Sequence, residues 1–501
     1  MNTVKAIYPA NGMRAENNAD AMYALPRPAY AMQIPGILTL VGLMTFAVGT
    51  EEAMAFAAGT ATVAALYMLW DWLFRLAPTR ISIIFAINLL LGYGGGALNT
   101  YLTLPRAGGL AELFGTTDPI LARGMASVLL VGAGLCFLGE LYEKPLFSPN
   151  LRIPVNQKAC LFIYLITLGL MAGFATHSLG FGGINQSEGS TQQNPLVAVL
   201  SACLTPIVTV AVATCIAAPK GYLKWSLGIC ALIDAVLQTT VDRRAVFYMT
   251  MLTIFVLRTS GYRIRGNVFK NILVFGGLGT FAFFGISFFM LLRLAGNQGD
   301  KTVLSLSRRM EIVAQWVADG SALERASEAN GKNVKSRSFV IGFYADVLEG
   351  SMDKTPALGV STFSEAVASV PRVLLPQKNS GEVFGVQIAG EETLADELFG
   401  LTYRDAANTI LTAGAVDFGI VGVFLYPLLM AFLIRKILDW TSRSLDSFGY
   451  VFMVAAAVLL ALPTEVGLFA YLSGLRNLII LATILYAIQK LPYLAWNPNS
   501  R

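Results

Sequence analysis

The stretch PILARGMASVLLVGAGLCFLGEL, Pro119 to Leu141, is 23 residues long, with Arg123 near one end and Glu140 near the other. A bilayer core takes about 17–25 residues of α-helix, and a run with so apolar a middle reads as one crossing. Comparable runs recur at about 35–50, 53–74, 81–103, 159–178, 196–218, 223–240, 245–259, 270–294, 409–434, 447–466 and 474–491. With 119–141 that makes twelve. The first and eighth are short, and Pro463, Glu465 and Arg476 interrupt the last two, so eleven to thirteen spans are expected.

Composition agrees. Of 501 residues, 55% are hydrophobic and 13% charged. With the 47 glycines counted the apolar share is about 64%, against about 45–50% for soluble domains. This excludes a disordered chain and argues against a soluble multi-domain enzyme. The five cysteines, Cys136, Cys160, Cys203, Cys215 and Cys230, lie in or beside apolar runs without CxxC spacing, and His177 is the single histidine. A disulfide framework, a haem and a His-ligated metal are therefore not expected. Neither a Walker A motif, a dinucleotide fingerprint nor HExxH is present, so no cofactor, metal or nucleic-acid partner is expected.

Lys and Arg concentrate in cytoplasmic loops. With the N-terminus inside, 19 cations fall on the inner side, among them Arg75, Arg80, Lys144, Arg435, Lys436 and Lys490. Six fall outside in short loops and span ends: Arg106, Arg123, Arg243, Arg244, Arg293 and Arg476. The other 11 lie in one long loop, 296–405, with 15 acidic residues and a net charge of −4. The expected organisation is a cytoplasmic tail 1–34, spans over 35–295, the outer loop 296–405, spans over 406–492 and a cytoplasmic tail 493–501. The first tail lacks the apolar core and cleavage site of a signal peptide.

A loop of about 110 residues exceeds ordinary connections. Leu306, Met310, Val313 and Val317 recur at helical spacing, which suits a helix on the membrane surface or one packed on the bundle. Phe339 to Leu348 reads as a second helix, Pro356 to Gly359 as a turn, and Pro371 and Pro376 as marks of an irregular stretch.

Charges in or near the outer ends of spans are the functional candidates. Asp242-Arg243-Arg244 breaks the inside-positive trend. It reads either as a hairpin in which Asp242 pairs with a neighbouring Arg, or as an anion site for a phosphate or diphosphate. Asp234 reads as a cation or proton ligand or as a buried hydrogen-bonded carboxyl. Asp417 and Glu465 read as general bases or interfacial polar residues, and His177 as structural or catalytic. Gly94-Gly95-Gly96 and Gly180, Gly182 and Gly183 suit close helix packing or a tight turn. In the loop, Arg337, Arg372, Lys378 and Arg404 read as scattered surface charge, or as a funnel for anions together with Arg243.

Over roughly 220–435 the layout resembles the O-antigen polymerase and O-antigen ligase superfamily of membrane glycosyltransferases. Asp242-Arg243-Arg244-Ala245 is similar to the family's Arg motif at the opening of a span. Arg337 with Pro356 to Gly359 resembles the Arg and Pro-x-Leu-Gly-like turn of its periplasmic loop. Val370-Pro371-Arg372 and Leu375-Pro376-Gln377-Lys378 are similar to elements of exopolysaccharide polymerases. Asn408 to Gly422 resembles the span that closes the loop. The ligase-type members carry a His where this chain has Ala407, which favours a polymerase.

The resemblance implies an all-α, GT-C-like polytopic protein of the inner membrane, with about twelve spans, one helical periplasmic loop and both termini cytoplasmic. It implies polymerisation of oligosaccharide repeat units carried on undecaprenyl diphosphate, with the bilayer and a chain-length regulator as further partners. Arg243 and Arg337 would be catalytic, joined at the diphosphate by Arg244, Arg372, Lys378 and Arg404; Asp417 or Asp242 would be the base. An O-antigen ligase remains an alternative, as does a flippase or ion-coupled carrier using Asp234 and Asp71.

Overall fold

The computed structural model describes residues 27–74, 79–103, 115–146, 306–328, 339–370, 389–401, 408–445 and 447–490, with isolated positions elsewhere. Among these, the chain is almost entirely helical. Helix α1 is Arg27–Val48 and α2 is Glu51–Phe74. Helix α3, Ile81–Leu89, continues through a π-helical segment, Leu90–Gly95, into α4, Gly96–Thr103. Helix α5 is Asp118–Leu141, with Pro119 in its first turn, where its missing N–H costs nothing. Among the described residues, five helices are long and apolar enough to cross a membrane: Glu51–Trp72, Ile81–Leu102, Asp118–Leu141, Ile410–Ser444 and Leu468–Ala487. Gln33–Val48 and Gly449–Ala461 are shorter apolar helices. These account for seven of the twelve expected spans. The other five, between 159 and 294, lie outside the described residues apart from isolated positions.

The outer faces of α1 and α2 expose Leu40, Phe46, Phe56, Val63 and Trp70, an apolar surface suited to hydrocarbon. Their inner faces pack through small residues. A Cβ at Gly94 would stand 2.6 Å from Ala61 Cβ, and one at Gly132 2.8 Å from Leu90 Cδ2. Of the triplet Gly94-Gly95-Gly96, Gly94 is the one that permits close packing, from within a π turn, while Gly96 has open space beside it.

One end of the bundle is tied by charge. Glu143 accepts the Ile81 and Ser82 N–H groups at 2.7 and 2.9 Å, capping α3 from 62 and 61 residues away. Arg80 pairs with Glu140 at 2.7 Å, and Arg435 stands 3.9 Å from Glu143. Arg80 and Arg435, placed on one side by charge patterning, therefore share one end.

The long loop contributes four described helices, the last three of which pack on the other end of the bundle. Helix α6 is Leu306–Ala318, α7 is Phe339–Asp353, α8 is Val360–Ser369 and α9 is Glu391–Phe399. A two-residue hairpin, β1 (Glu382–Val383) with β2 (Val386–Gln387), precedes α9. The seam of α6 differs from expectation. Arg309, Val313 and Trp316 are buried, while Met310 and Val317 face outward. Val313 and Trp316 pack with Leu291, Leu292, Ala295 and Ala326 in a cluster of their own. Helix α7 docks on α5: Arg123 Nη1 reaches both Glu349 oxygens at 2.6 and 2.7 Å, and Ser127 and Tyr344 share a 2.5 Å hydroxyl contact.

Helix α10, Ile410–Ser444, was expected as a plain span over 409–434 but is broken at Phe418–Gly419, where Gly419 takes φ 57° and ψ −141°. In a straight helix Gly414 and Gly422 would be about 12 Å apart. Here a Cβ at Gly422 would lie 2.0 Å from the Gly414 carbonyl oxygen. The chain therefore folds back, and Ile410 to Asp417 forms a short, wholly buried leg against the long one. Helix α11, Ser447–Ala461, and helix α12, Leu468–Lys490, complete the bundle. The last span begins at Leu468, six residues before the expected 474, which moves Arg476 from its end towards its interior, where it donates to the Ser369 carbonyl at the end of α8.

Gly422→Ala is expected to lower stability by at least about 1–3 kcal/mol, since backbone cannot move aside for the new methyl. Gly59→Ala, with nothing within 4 Å, is the matched control. Thermal unfolding of both variants in detergent checks the difference.

Candidate functional site

Helix α11 has 15 residues and rises about 22 Å, short of a hydrocarbon core of about 30 Å. A chain that entered a bilayer at Ser447 would therefore carry the non-helical segment that follows, 462–467, at membrane depth. Irregular backbone is tolerated there only when protein or a polar cavity satisfies it. Asn88 Nδ2 donates to the Ala461 carbonyl at 3.2 Å, Thr464 Oγ1 donates to Asn88 Oδ1 at 2.7 Å, and Tyr471 donates to the Pro463 carbonyl at 3.3 Å. Gly92 is required here, because a Cβ would meet Thr464 Oγ1 at 2.2 Å.

Beside this break the start of α10 and the start of α9 meet. Thr409 caps α10, taking the Leu411 and Thr412 N–H groups at 3.2 and 3.1 Å, and Tyr93 OH lies 2.6 Å from its hydroxyl. Glu391, the first residue of α9, is 3% exposed. Its Oε1 has no hydrogen-bond partner, and neither has Asn408 Oδ1. Asn408 Nδ2 is occupied by Glu392 Oε1 at 3.0 Å. A Cβ at Gly467 would stand 3.4 Å from Asn408 Cβ and 3.6 Å from Glu391 Oε2, so both side chains pack beside this glycine. Burial pushes the Glu391 carboxyl up to about 8; the Thr412 hydroxyl opposes this, and Glu365, Glu392 and Asp417 add to it. Glu365 on α8 is raised too, chiefly by burial.

Asp417 sits at the fold-back of α10, fully buried. Its Oδ1 accepts the Ser361 N–H at 2.9 Å. Its Oδ2 accepts the Thr362 N–H at 2.9 Å, the Thr362 hydroxyl at 2.6 Å and the Tyr426 hydroxyl at 2.7 Å. Gly359 at the head of α8 has no side chain to cap it, and Asp417 supplies that cap from another helix. The turn Pro356 to Gly359, expected from sequence, is closed by Ala357 and Leu358 N–H groups donating at 2.8 Å to the Val416 and Asp417 carbonyls. Leu358 and Gly359 take φ 51° and 91°.

Of the residues picked from sequence, Asp417, Glu465 and Asp71 are described. Arg243, Arg244, Asp242, Asp234, His177, Arg337, Arg372, Lys378 and Arg404 lie outside the described residues. Among the described residues no group of three or more His, Cys, Asp or Glu side chains is arranged to hold a metal ion. Sequence reading passed over Glu391. An acidic pair opening a helix in an acidic loop has a sufficient explanation in the helix dipole, and only its burial against α10 and α12 distinguishes it.

Comparison with protein-family models, with curated proteins and with solved structures returns no match. The geometry itself defines a predominantly helical protein with several helices able to cross a bilayer, capped at one end by helices of its long loop.

Two outcomes test this site. Asp417→Ala strands three donors and a phenol, and is expected to cost about 3–5 kcal/mol in thermal unfolding. The raised Glu391 carboxyl makes the folded chain bind a proton that the unfolded chain has released. Stability is therefore fullest below the ordinary carboxylate range and falls as pH rises towards about 8. The slope is up to about 1.4 kcal/mol per pH unit. Glu391→Gln should remove most of that slope, with Glu365 leaving a smaller one of the same sign.

Proposed function

We propose that this protein is a multi-pass inner-membrane glycosyltransferase with about twelve spans, a GT-C-like architecture and both termini cytoplasmic. It joins oligosaccharide repeat units carried on undecaprenyl diphosphate, on the periplasmic face. The observation that carries the reading is the docking of α7, α8 and α9 over one end of the bundle, where Glu391 and Asn408 come together beside Gly467. A connector has no need of helices locked to the bundle by Arg123–Glu349, Asp417 and Arg476. The motif resemblance assigns the same loop to substrate handling.

In this reading the reducing-end sugar of the growing chain is the donor. A hydroxyl of the incoming unit attacks its anomeric carbon and gives up its proton to a carboxylate base, Asp242, and the bond to the diphosphate oxygen breaks with its electron pair. Arg243 and Arg337 neutralise the departing diphosphate, supported by Arg244, Arg372, Lys378 and Arg404, because guanidinium groups stabilise such charge best where water is excluded. Asp417, its carboxylate occupied by four donors, fixes the hinge of α10 and the head of α8. The lipid enters from the bilayer; an apolar groove of about 560 Å³ between α1, α2 and α4, lined by Ile34, Ile37, Phe56, Gly59, Val63 and Leu98, has the chemistry to hold a prenyl chain.

One observation favours a second reading. A buried, titratable carboxyl beside a helix break also suits a proton-coupled carrier, such as a flippase of lipid-linked glycans. The two differ in the leaflet where single lipid-linked units accumulate in a deletion strain: the outer for the polymerase, the inner for the flippase. Arg243→Ala and Arg337→Ala are each expected to shorten the polymer on a gel by at least about 100-fold in yield at normal protein level. Normal polymer in both variants would remove the diphosphate role.

A further inference from the structure

Helix α10 carries an outward line of side chains whose chemistry changes once along its length. Val421, Leu425, Leu429 and Phe432, at helical spacing, are exposed and apolar. The same line continues as Lys436, Trp440 and Arg443, which are also exposed. The leg of α10 beyond its hinge, 420–444, rises about 37 Å, more than a hydrocarbon core of about 30 Å. Part of it therefore meets headgroups. The change in side chains marks where, between Phe432 and Lys436, whose ammonium stands 5.1 Å over the Phe432 ring.

Other helices repeat this pattern at the same end. Helix α12 packs beside α10, and both start at the end where the loop helices dock. It closes with Lys490 at 5.3 Å over the exposed Tyr486 ring. Trp70, near the end of α2, and Tyr142, just after α5, are exposed as well. Trp72 Nε1 donates to Thr79 Oγ1 at 2.9 Å and the Leu146 N–H to the Thr79 carbonyl at 2.9 Å, so these two ends lie together. Arg435 beside Glu143 joins them to α10. One end of the bundle thus bears exposed Trp and Tyr rings with cations among them, the composition of a membrane boundary.

The acids of this end are engaged elsewhere. Glu140 pairs with Arg80, Asp439 pairs with Arg435 at 2.8 Å, and Glu143 accepts two N–H groups at the head of α3. The dipole of α10 accounts for Arg443 in its last turn, but not for Lys436, about two turns earlier. A soluble phosphate would answer the two cations and leave the apolar half of the line bare. A neutral lipid would cover the apolar half and leave the cations unanswered. A phospholipid of net negative charge matches both.

We propose that the Lys436–Trp440–Arg443 face of α10 binds the headgroup of an anionic phospholipid, whose acyl chains lie along Val421, Leu425, Leu429 and Phe432. The ammonium and the guanidinium donate charge-assisted hydrogen bonds to the phosphate oxygens, and the Trp440 ring lies at headgroup level. Such a lipid sets the depth of the long leg, and with it the depth of the hinge at Phe418–Gly419. The proposal is independent of the polymerase reading.

The test uses the full-length protein in phosphatidylcholine bilayers with rising fractions of phosphatidylglycerol. Either lipid is brominated on its chains in turn, so that it quenches nearby tryptophan. The part of the quenching that wild type shows and Trp440→Phe lacks reports the lipid at this face. Wild type should prefer the anionic lipid there. Each Lys or Arg near an anionic surface strengthens attraction about fivefold, so Lys436→Gln with Arg443→Gln should lower that preference by about 25-fold. Both side chains are exposed, and Lys436→Gln alone, expected to lose about fivefold, takes the place of the double variant if that fails to accumulate.

Equal quenching of Trp440 by the two lipids, or an unchanged preference in the variant that accumulates, overturns the proposal. Quenching by neither lipid overturns it too, since protein, a second copy included, would then cover the face. Full displacement of the anionic lipid by free glycerol phosphate would make this a site for soluble anions instead.

Discussion

Asp417 places a carboxylate in the interior of an apolar protein and surrounds it with donors drawn from three places: the Ser361 and Thr362 backbone, the Thr362 hydroxyl and the Tyr426 phenol. A buried charge is tolerable only when it is matched in this way. The match requires α10 to fold back, since Tyr426 lies nine residues beyond Asp417 and would stand about 13 Å away along a straight helix. It also requires α8 to present its N-terminus at the fold. The hinge, the short buried leg and the position of the loop helices are thus consequences of one ion finding its partners. The Gly414–Gly422 contact is the steric counterpart, because the two legs meet backbone to backbone.

Hydropathy made the spans legible. Helices α2, α5 and the α3–α4 continuation follow the expected boundaries within a few residues, since length and apolar content are local properties. The fold-back was not legible: Asp417-Phe-Gly-Ile-Val-Gly422 has the composition of a span throughout, and only tertiary partners for Asp417 make the break favourable. Helices α8 and α9 escaped notice for a related reason. The prolines at 371 and 376 suggested irregular chain, while the faces of Ser361, Ser364 and Val367 become buried only once α10 and α12 are in place. The seam of α6 was misjudged because Arg309 is buried where an aliphatic residue was expected.

The candidate site combines both cases. Asp417 stood out as a charge near the end of a span, and the structure gives it partners. Glu391 did not stand out, since its significance lies in the absence of a partner, which no sequence pattern records. It lies beside Gly467, a residue of the non-helical segment that follows α11. The end of that helix at Ala461 brings backbone carbonyls, Asn88 and Thr464 into one hydrogen-bonded cluster.

Helix α6 belongs to a different packing unit. Its buried residues share no member with the main core among the described residues, and close on Leu291, Leu292 and Ala295 instead. Two cores that are not interleaved need not melt together. The region that leads into the long loop can therefore open while the main bundle stays closed.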